Sequence, residues 1–141
     1  MKTILTTIAL ICTNFIFSQS IGDYKYIYVP KQFDKKVDYP KVKDALLKSL
    51  TQKKYSITQE EVANWPSDLA DNKCNVATVK LLDDGTFLRN RVILQFNDCN
   101  GKLITEVKGS SSEKDFELGL KDALITAMKN VPTSDPKQIT A

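Results

Sequence analysis

Residues 74–108 carry the pattern that most constrains how this chain folds. Three segments, 74–82, 88–97 and 102–108, alternate apolar with polar residues, as strands with one buried face do. The tight-turn sequences Asp83-Asp84-Gly85 and Asp98-Cys99-Asn100-Gly101 separate them. The pattern therefore predicts a three-stranded antiparallel meander. The residues predicted to face inward are Ala77, Val79, Leu81, Val92, Leu94, Phe96, Leu103, Thr105 and Val107.

A β-α-β unit is predicted ahead of the meander. Residues 23–30 alternate as a strand whose tyrosines all lie on one face. Apolar residues then recur at helical spacing over 40–53, and Pro40 suits the first turn of a helix. Residues 55–58 are a candidate for a second short strand, and residues 66–71 for a single helical turn.

An amphipathic helix is predicted after the meander. Gly109 is expected to end the third strand, and Ser110 and Glu113 have the spacing of a capping box. Residues 132–141 contain two prolines and are expected to form a flexible C-terminal tail. The helix presents an apolar stripe that needs a sheet face, formed by Phe116, Leu120, Ala123, Leu124, Ala127 and Met128.

Together these elements predict an α+β fold, a single domain over residues 19–131 in the order β-α-β-β-β-β-α. The sheet is expected to be mixed but mostly antiparallel, with two helices packed on one face. The other face is expected to carry polar residues with Ile93 and Ile104 among them. If left open, that face is a natural docking surface.

Residues 1–18 have the layout of a secretory signal peptide. Lys2 supplies the positive charge, residues 4–17 are almost wholly apolar or small, and the expected cut follows Ser18. The apolar run is shorter than the roughly 20 residues that a transmembrane helix needs. The mature chain is therefore expected to be soluble and periplasmic or secreted. Acylation of Cys12, as in a lipoprotein, is the alternative export route.

Cys74 and Cys99 are the two cysteines that remain once the signal is removed. In an oxidising compartment they most simply form one disulfide, and both fall at the same end of the predicted meander. Free buried thiols, or a metal-binding or catalytic role, are the alternatives. A usual four-ligand zinc site is disfavoured, because the chain has no histidine.

Composition argues against several classes of function. The net charge is +3 and aspartates dilute the lysine clusters, so a nucleic-acid partner is not expected. Without histidine, Ser-His-Asp and Cys-His catalytic sites are impossible. No metal or cofactor is expected, since the chain has neither histidine, the commonest metal ligand, nor a glycine-rich phosphate loop. Carboxylate pairs at Glu60-Glu61 and Asp83-Asp84 leave a carboxylate-based enzyme as a minor hypothesis.

Three strings resemble a group of small exported bacterial proteins with no assigned activity. They are YKYIYVP from residue 24, LADNKC from residue 69 and DCNGK from residue 98. The resemblance implies one cysteine just before a strand and one in an Asp-Cys-Asn turn, which match Cys74 and Cys99. The element order is also similar to that of small α+β domains of envelope lipoproteins. That similarity implies a binding module and names no partner.

The first functional hypothesis is a non-catalytic module that docks on another envelope protein. A secreted inhibitor of a hydrolase is the alternative, with the turn at residues 98–101 as the inserting element. Aromatic residues and arginine dominate binding hot spots. The candidate contacts are therefore Tyr24, Tyr26, Tyr28, Trp65, Arg89 and Arg91.

Overall fold

The computed structural model describes residues 20–136, which form a five-stranded mixed sheet with two long helices on one face. The predicted α+β class and element order are confirmed. The predicted signal peptide, with Cys12, lies outside the described residues. The strands are β1 (Tyr26–Tyr28), β2 (Ser56–Thr58), β3 (Val76–Asp83), β4 (Asn90–Asn97) and β5 (Leu103–Ser111). The helices are α1 (Pro40–Gln52), the short α2 (Ser67–Ala70) and α3 (Phe116–Met128), with single 3-10 turns at Ile21–Asp23, Val62–Asn64 and Lys73–Asn75.

The sheet joins a parallel half to an antiparallel half. Its strand order is β2-β1-β3-β4-β5, and β1 runs parallel to both of its neighbours. The middle residue of β1, Ile27, is fully buried and pairs with Ile57 and Ala77. Strands β3, β4 and β5 form the predicted antiparallel meander. Thr78 of β3 therefore lies beside Tyr28, at the opposite end of β3 from its hairpin to β4.

Helix α3 lies so close to β5 that only glycine fits beneath it. A Cβ atom on Gly109 would lie 1.9 Å from the backbone oxygen of Ala123 and 2.5 Å from the nitrogen of Ala127. The prediction that Gly109 ends the third strand is wrong, because this glycine lets β5 pass under the helix and continue to Ser111. The sheet and α3 are thus packed backbone against backbone at this point.

The start of α3 also differs from the prediction. Asp115 is the N-cap, and its Oδ1 accepts a hydrogen bond from the Leu118 N–H at 2.9 Å. Ser110 lies within β5, so the predicted capping box is not formed. Phe116, the first residue of the predicted stripe, is 47 % exposed and packs edge-on against Tyr39. The other five residues of that stripe are buried.

A β-bulge changes the sheet face on which the side chains of the first residues of β5 lie. The register shifts between Phe96 and Asn97, so that Phe96 pairs with Thr105 while Asn97 pairs with Leu103. Residue 104 is the extra residue, and a single extra residue moves side chains to the other face. Leu103 is consequently exposed and Ile104 packs against the core, which reverses the prediction for both residues.

The sheet face opposite the helices is polar at its centre. Lys80, Gln95 and Glu106 lie in one row across β3, β4 and β5, and the Gln95 amide donates to Glu106 at 2.9 Å. Ile93 is half-buried on this face. Interface cores are depleted of charged residues. The middle of the open face is therefore a weaker candidate for docking than the sequence indicated.

The chain after α3 is hydrogen-bonded to the rest of the domain at least as far as Asp135. The Ser134 hydroxyl is buried and donates to the Tyr24 carbonyl at 2.6 Å. The Tyr55 hydroxyl donates to the Pro132 carbonyl at 2.8 Å, and the Asp135 N–H to the Gly22 carbonyl at 2.7 Å. The expected flexible tail therefore does not begin at Pro132.

Raising the pH above 10 is expected to weaken the folded state through Tyr55. Burial, with a smaller effect from Asp23, raises the pKa of Tyr55 from 10.0 to about 12. The unfolded chain releases this proton first, so the stabilisation is complete below pH 10 and is lost as pH rises towards 12. The free energy of unfolding falls by at most about 2–3 kcal/mol from this cause. Urea unfolding between pH 8 and 11.5 should show a steeper decline for the wild type than for Tyr55→Phe, and equal slopes would contradict the assignment.

Candidate functional site

The hairpin between β3 and β4 ends in a tight turn that is closed by hydrogen bonds. The Asp84 N–H donates to the Arg91 carbonyl at 2.9 Å, which continues the ladder beyond the strands. The Thr86 N–H donates to the Arg89 carbonyl at 2.9 Å. Asp83 Oδ1 accepts from the Gly85 N–H at 3.0 Å. These bonds leave two residues at the tip of the hairpin, at positions 87 and 88.

Phe87 and Leu88 occupy this tip, and together they are called the hairpin knob. Phe87 is 101 % exposed and Leu88 is 82 % exposed. Turn tips usually hold Gly, Asn or Asp, because those residues adopt positive φ or hydrogen-bond to the turn. Neither Phe87 nor Leu88 has a positive φ. The backbone of the turn therefore does not require these two residues, and their exposed side chains are accessible to another molecule.

A depression beside the hairpin knob has a mixed lining, in which polar and charged residues outnumber apolar ones. It has a volume of about 430 Å³ and is lined by both knob residues and by Phe116 from the start of α3. Asn90 fixes this arrangement, because its side-chain amide donates to the Glu113 carbonyl at 3.2 Å. The exposed apolar residues thus come from two elements that are held together.

A second apolar feature lies at the far end of β3, on the sheet face opposite the helices. It is a groove of about 510 Å³, called here the aromatic groove. Tyr28 and Trp65 form one wall, with ring centroids 6.4 Å apart. The Trp65 Nε1–H donates to the Glu60 carbonyl at 2.7 Å, so the indole is held in place. The remaining lining residues are Glu61, Val62, Ala63 and Thr78.

The structure separates the six candidate contacts of the sequence analysis into different places. Tyr24 is buried, since the chain enters the sheet through a 3-10 turn and β1 begins only at Tyr26, so Tyr24 is not available to a partner. Tyr28 and Trp65 meet in the aromatic groove. Tyr26 is half-buried on the same face of the sheet, beneath the Lys25 ammonium.

The two arginines lie at the other end of the sheet, by the hairpin knob. Arg89 directly follows the knob and is exposed. Arg91 is partly engaged, because its Nε donates to the Asp84 carbonyl at 3.0 Å and its Nη2 lies 3.4 Å from the Asp84 carboxylate. Arg91 therefore supports the hairpin, whereas Arg89 is exposed beside its tip.

The disulfide predicted between Cys74 and Cys99 is formed, with Cα atoms 4.8 Å apart. It joins the 3-10 turn before β3 to the turn between β4 and β5. Asp98 Oδ1 stabilises the latter turn by accepting from the N–H groups of Asn100 and Lys102, each at 2.9 Å. Gly101 has a φ of 78°, a conformation that suits glycine. The turn is thus exposed at its tip and is held by hydrogen bonds and by the disulfide.

Two further properties concern only the described part of the chain. Over residues 20–136, no three His, Cys, Asp or Glu side chains are arranged to hold a metal ion. None of the helices within the same range is long and apolar enough to cross a bilayer.

This architecture, an α+β domain with an open mixed sheet and two helices on one face, has similar solved structures. Two are structures of the PelC dodecamer from Paraburkholderia phytofirmans, one of them of a point variant. They are 9 % and 8 % identical to this chain, both with a TM-score of 0.50. Each comparison covers 84 % of this chain, and 94 % or 95 % of the other. At this identity the similarity concerns the fold alone. No family model and no curated protein matches the sequence.

Proposed function

We propose that this protein is an exported, non-catalytic interaction module of the bacterial cell envelope that binds a partner protein through the hairpin knob. The observation that carries this proposal is the full exposure of Phe87 beside the exposed Leu88, at a turn that needs neither residue. Scattered single apolar side chains are normal on protein surfaces. Two adjacent apolar side chains at a hairpin tip, with Phe116 also exposed nearby, favour an interaction site.

Export is supported by two observations of different kinds. Residues 1–18 have the composition of a signal peptide. The Cys74–Cys99 disulfide is a bond that persists in the periplasm or outside the cell and is rare in a reducing cytosol.

The similar PelC structures are of a dodecamer, so the same fold elsewhere supports a protein–protein assembly.

Replacing the hairpin knob is expected to abolish partner capture without unfolding the domain. The variant is Phe87→Ser/Leu88→Ser, and because both side chains are exposed the free energy of unfolding should change by less than about 0.5 kcal/mol. The mature chain would be cross-linked in the envelope of the producing cells, purified and compared by mass spectrometry. Loss of an exposed apolar anchor should reduce recovery of the partner at least about tenfold.

The matched control for this experiment is Ile125→Ser. Ile125 is 40 % exposed on α3, so its replacement also removes an exposed apolar side chain. The control should capture the partner as well as the wild type does. Equal capture by the knob variant and the wild type would disprove the proposed role of the knob.

A second candidate function is favoured by the turn at residues 98–101. Inhibitors of hydrolases insert a preorganised segment, and preorganisation lowers the entropy cost of binding. This turn is exposed, is closed by Asp98, and is anchored by the disulfide. An inhibitor would block the turnover of a hydrolase, and reduction of the disulfide would remove the block. An Asn100→Ala variant with unchanged inhibition would argue against insertion of this turn.

A further inference from the structure

We infer that the partner of the hairpin knob is a second copy of this chain, and that the knob of one copy occupies the aromatic groove of the next. The inference rests on the proposed function, because it names the partner of the same site. The knob offers two adjacent apolar side chains at a hydrogen-bonded hairpin tip. The groove offers an open volume of about 510 Å³ with Tyr28, Val62 and Trp65 among its lining residues.

Arg89 beside the knob and Glu61 in the groove carry opposite charges. Arg89 is exposed next to the knob, and Glu61 is an exposed lining residue of the groove, preceded by the exposed Glu60. Complementary charges around an apolar contact fix its register and disfavour wrong partners. An aromatic anchor with a neighbouring arginine, facing tryptophan and tyrosine, also has the composition of interface hot spots.

The groove is already formed in the isolated chain. The Asn64 N–H donates to the Glu61 carbonyl at 2.8 Å, and the Trp65 N–H to the Val62 carbonyl at 3.2 Å. With the indole bonded to the Glu60 carbonyl, the segment that builds the groove needs little rearrangement to receive a side chain. Little ordering entropy is therefore lost on binding.

A copy cannot fill its own groove. Thr78, which lines the groove, and Asp83, which precedes the hairpin, are five residues apart on β3. At about 3.3 Å per residue they are separated by roughly 17 Å, and the hairpin extends away from the groove. Each copy thus carries one knob and one groove at opposite ends. Such a heterologous contact produces a closed ring or an open filament.

Sedimentation velocity of the mature chain, purified from the envelope fraction, tests the inference. The wild type should form species larger than a dimer, whereas Phe87→Ser/Leu88→Ser and the groove variant Val62→Lys should each be monomeric. Val62 is 42 % exposed, so this substitution should not unfold the domain. A mixture of the two variants should form a dimer and nothing larger, because only one intact knob and one intact groove can meet.

A charge exchange makes the test specific to the named residues. Arg89→Glu and Glu61→Arg should each weaken self-association at least about tenfold, and the double variant should recover most of it. Ile125→Ser should assemble like the wild type.

Any of three results would overturn the inference. They are a wild type that is monomeric at all concentrations, a knob variant that still assembles, and a double variant that does not recover self-association. A monomer that co-sediments with phosphatidylethanolamine–phosphatidylglycerol vesicles would show that lipid is the knob's partner. If the wild type is monomeric and captures a different envelope protein that the knob variant does not capture, the proposed function stands and only self-assembly is refuted.

Discussion

Gly109→Ala is expected to destabilise the domain by about 3 kcal/mol or more, one of the two largest effects of a small change in this chain. The added methyl would lie 1.9 Å from the Ala123 carbonyl oxygen and 2.5 Å from the Ala127 nitrogen. Both atoms belong to helix backbone, which cannot move aside as a flexible side chain can. Relief therefore requires α3 to lift from β5, where its buried face is packed, and overpacking of this kind is costly.

Urea unfolding of the chain without residues 1–18 measures this effect, with Gly101→Ala as the control. At Gly101 a Cβ would meet no atom within 4 Å, but its φ of 78° disfavours other residues. The control should therefore cost only about 1–2 kcal/mol, from backbone strain alone. If Gly109→Ala proved no more destabilising than Gly101→Ala, the close contact of α3 with β5 would be wrong.

Removing the disulfide with Cys74→Ser/Cys99→Ser is expected to cost about 3 kcal/mol. The bond joins residues 25 positions apart, and the chain-entropy model assigns roughly that stabilisation to a closed loop of this length. For a domain of this size the melting temperature should fall by roughly 10–15 °C. The bond also joins the segment that precedes β3 to the β4–β5 turn, so its loss should loosen both.

Calorimetry of the wild type and the double serine variant tests this expectation, and thiol titration accompanies it. The wild-type chain without residues 1–18, denatured without reductant, should show no free thiol. Two free thiols, with equal melting temperatures for the two proteins, would instead establish the alternative of unpaired cysteines.

The meander could be predicted from the sequence because each of its strands buries one face. Val92, Leu94 and Phe96 are fully buried, as the alternation indicates. The predictions are wrong at positions where a distant part of the chain determines the local structure. Gly109 has the local appearance of a strand breaker, but its role depends on a helix that follows it. Leu103 faces outward because of a bulge, and a bulge leaves no mark on the periodicity.

The hairpin knob was not predicted, although the sequence contains a signal for it. The alternation of residues places Leu88 at the start of a strand, whereas the strand begins at Asn90. Two large apolar residues directly after Gly85-Thr86 stand where a turn normally holds polar residues. That conflict between residue type and position is typical of a functional site.

The aromatic groove was only half accessible to sequence reasoning. The sequence marks Tyr28 and Trp65 as separate aromatic candidates, but their contact depends on how residues 59–75 cross the sheet. The prolyl bond after Trp65 indicates extended backbone, which the structure shows at a ψ of 145°. It does not indicate the direction in which the chain turns.

Photo-crosslinking from position 87 in living cells tests the central claim most directly. A photoreactive phenylalanine analogue would replace Phe87, whose side chain is fully exposed, and Ile125 would carry the same analogue as a control. The account predicts a discrete protein adduct from position 87 and none of that mass from position 125. If position 87 produced no protein adduct while the modified chain was exported and folded, the hairpin knob would not be a protein-binding site.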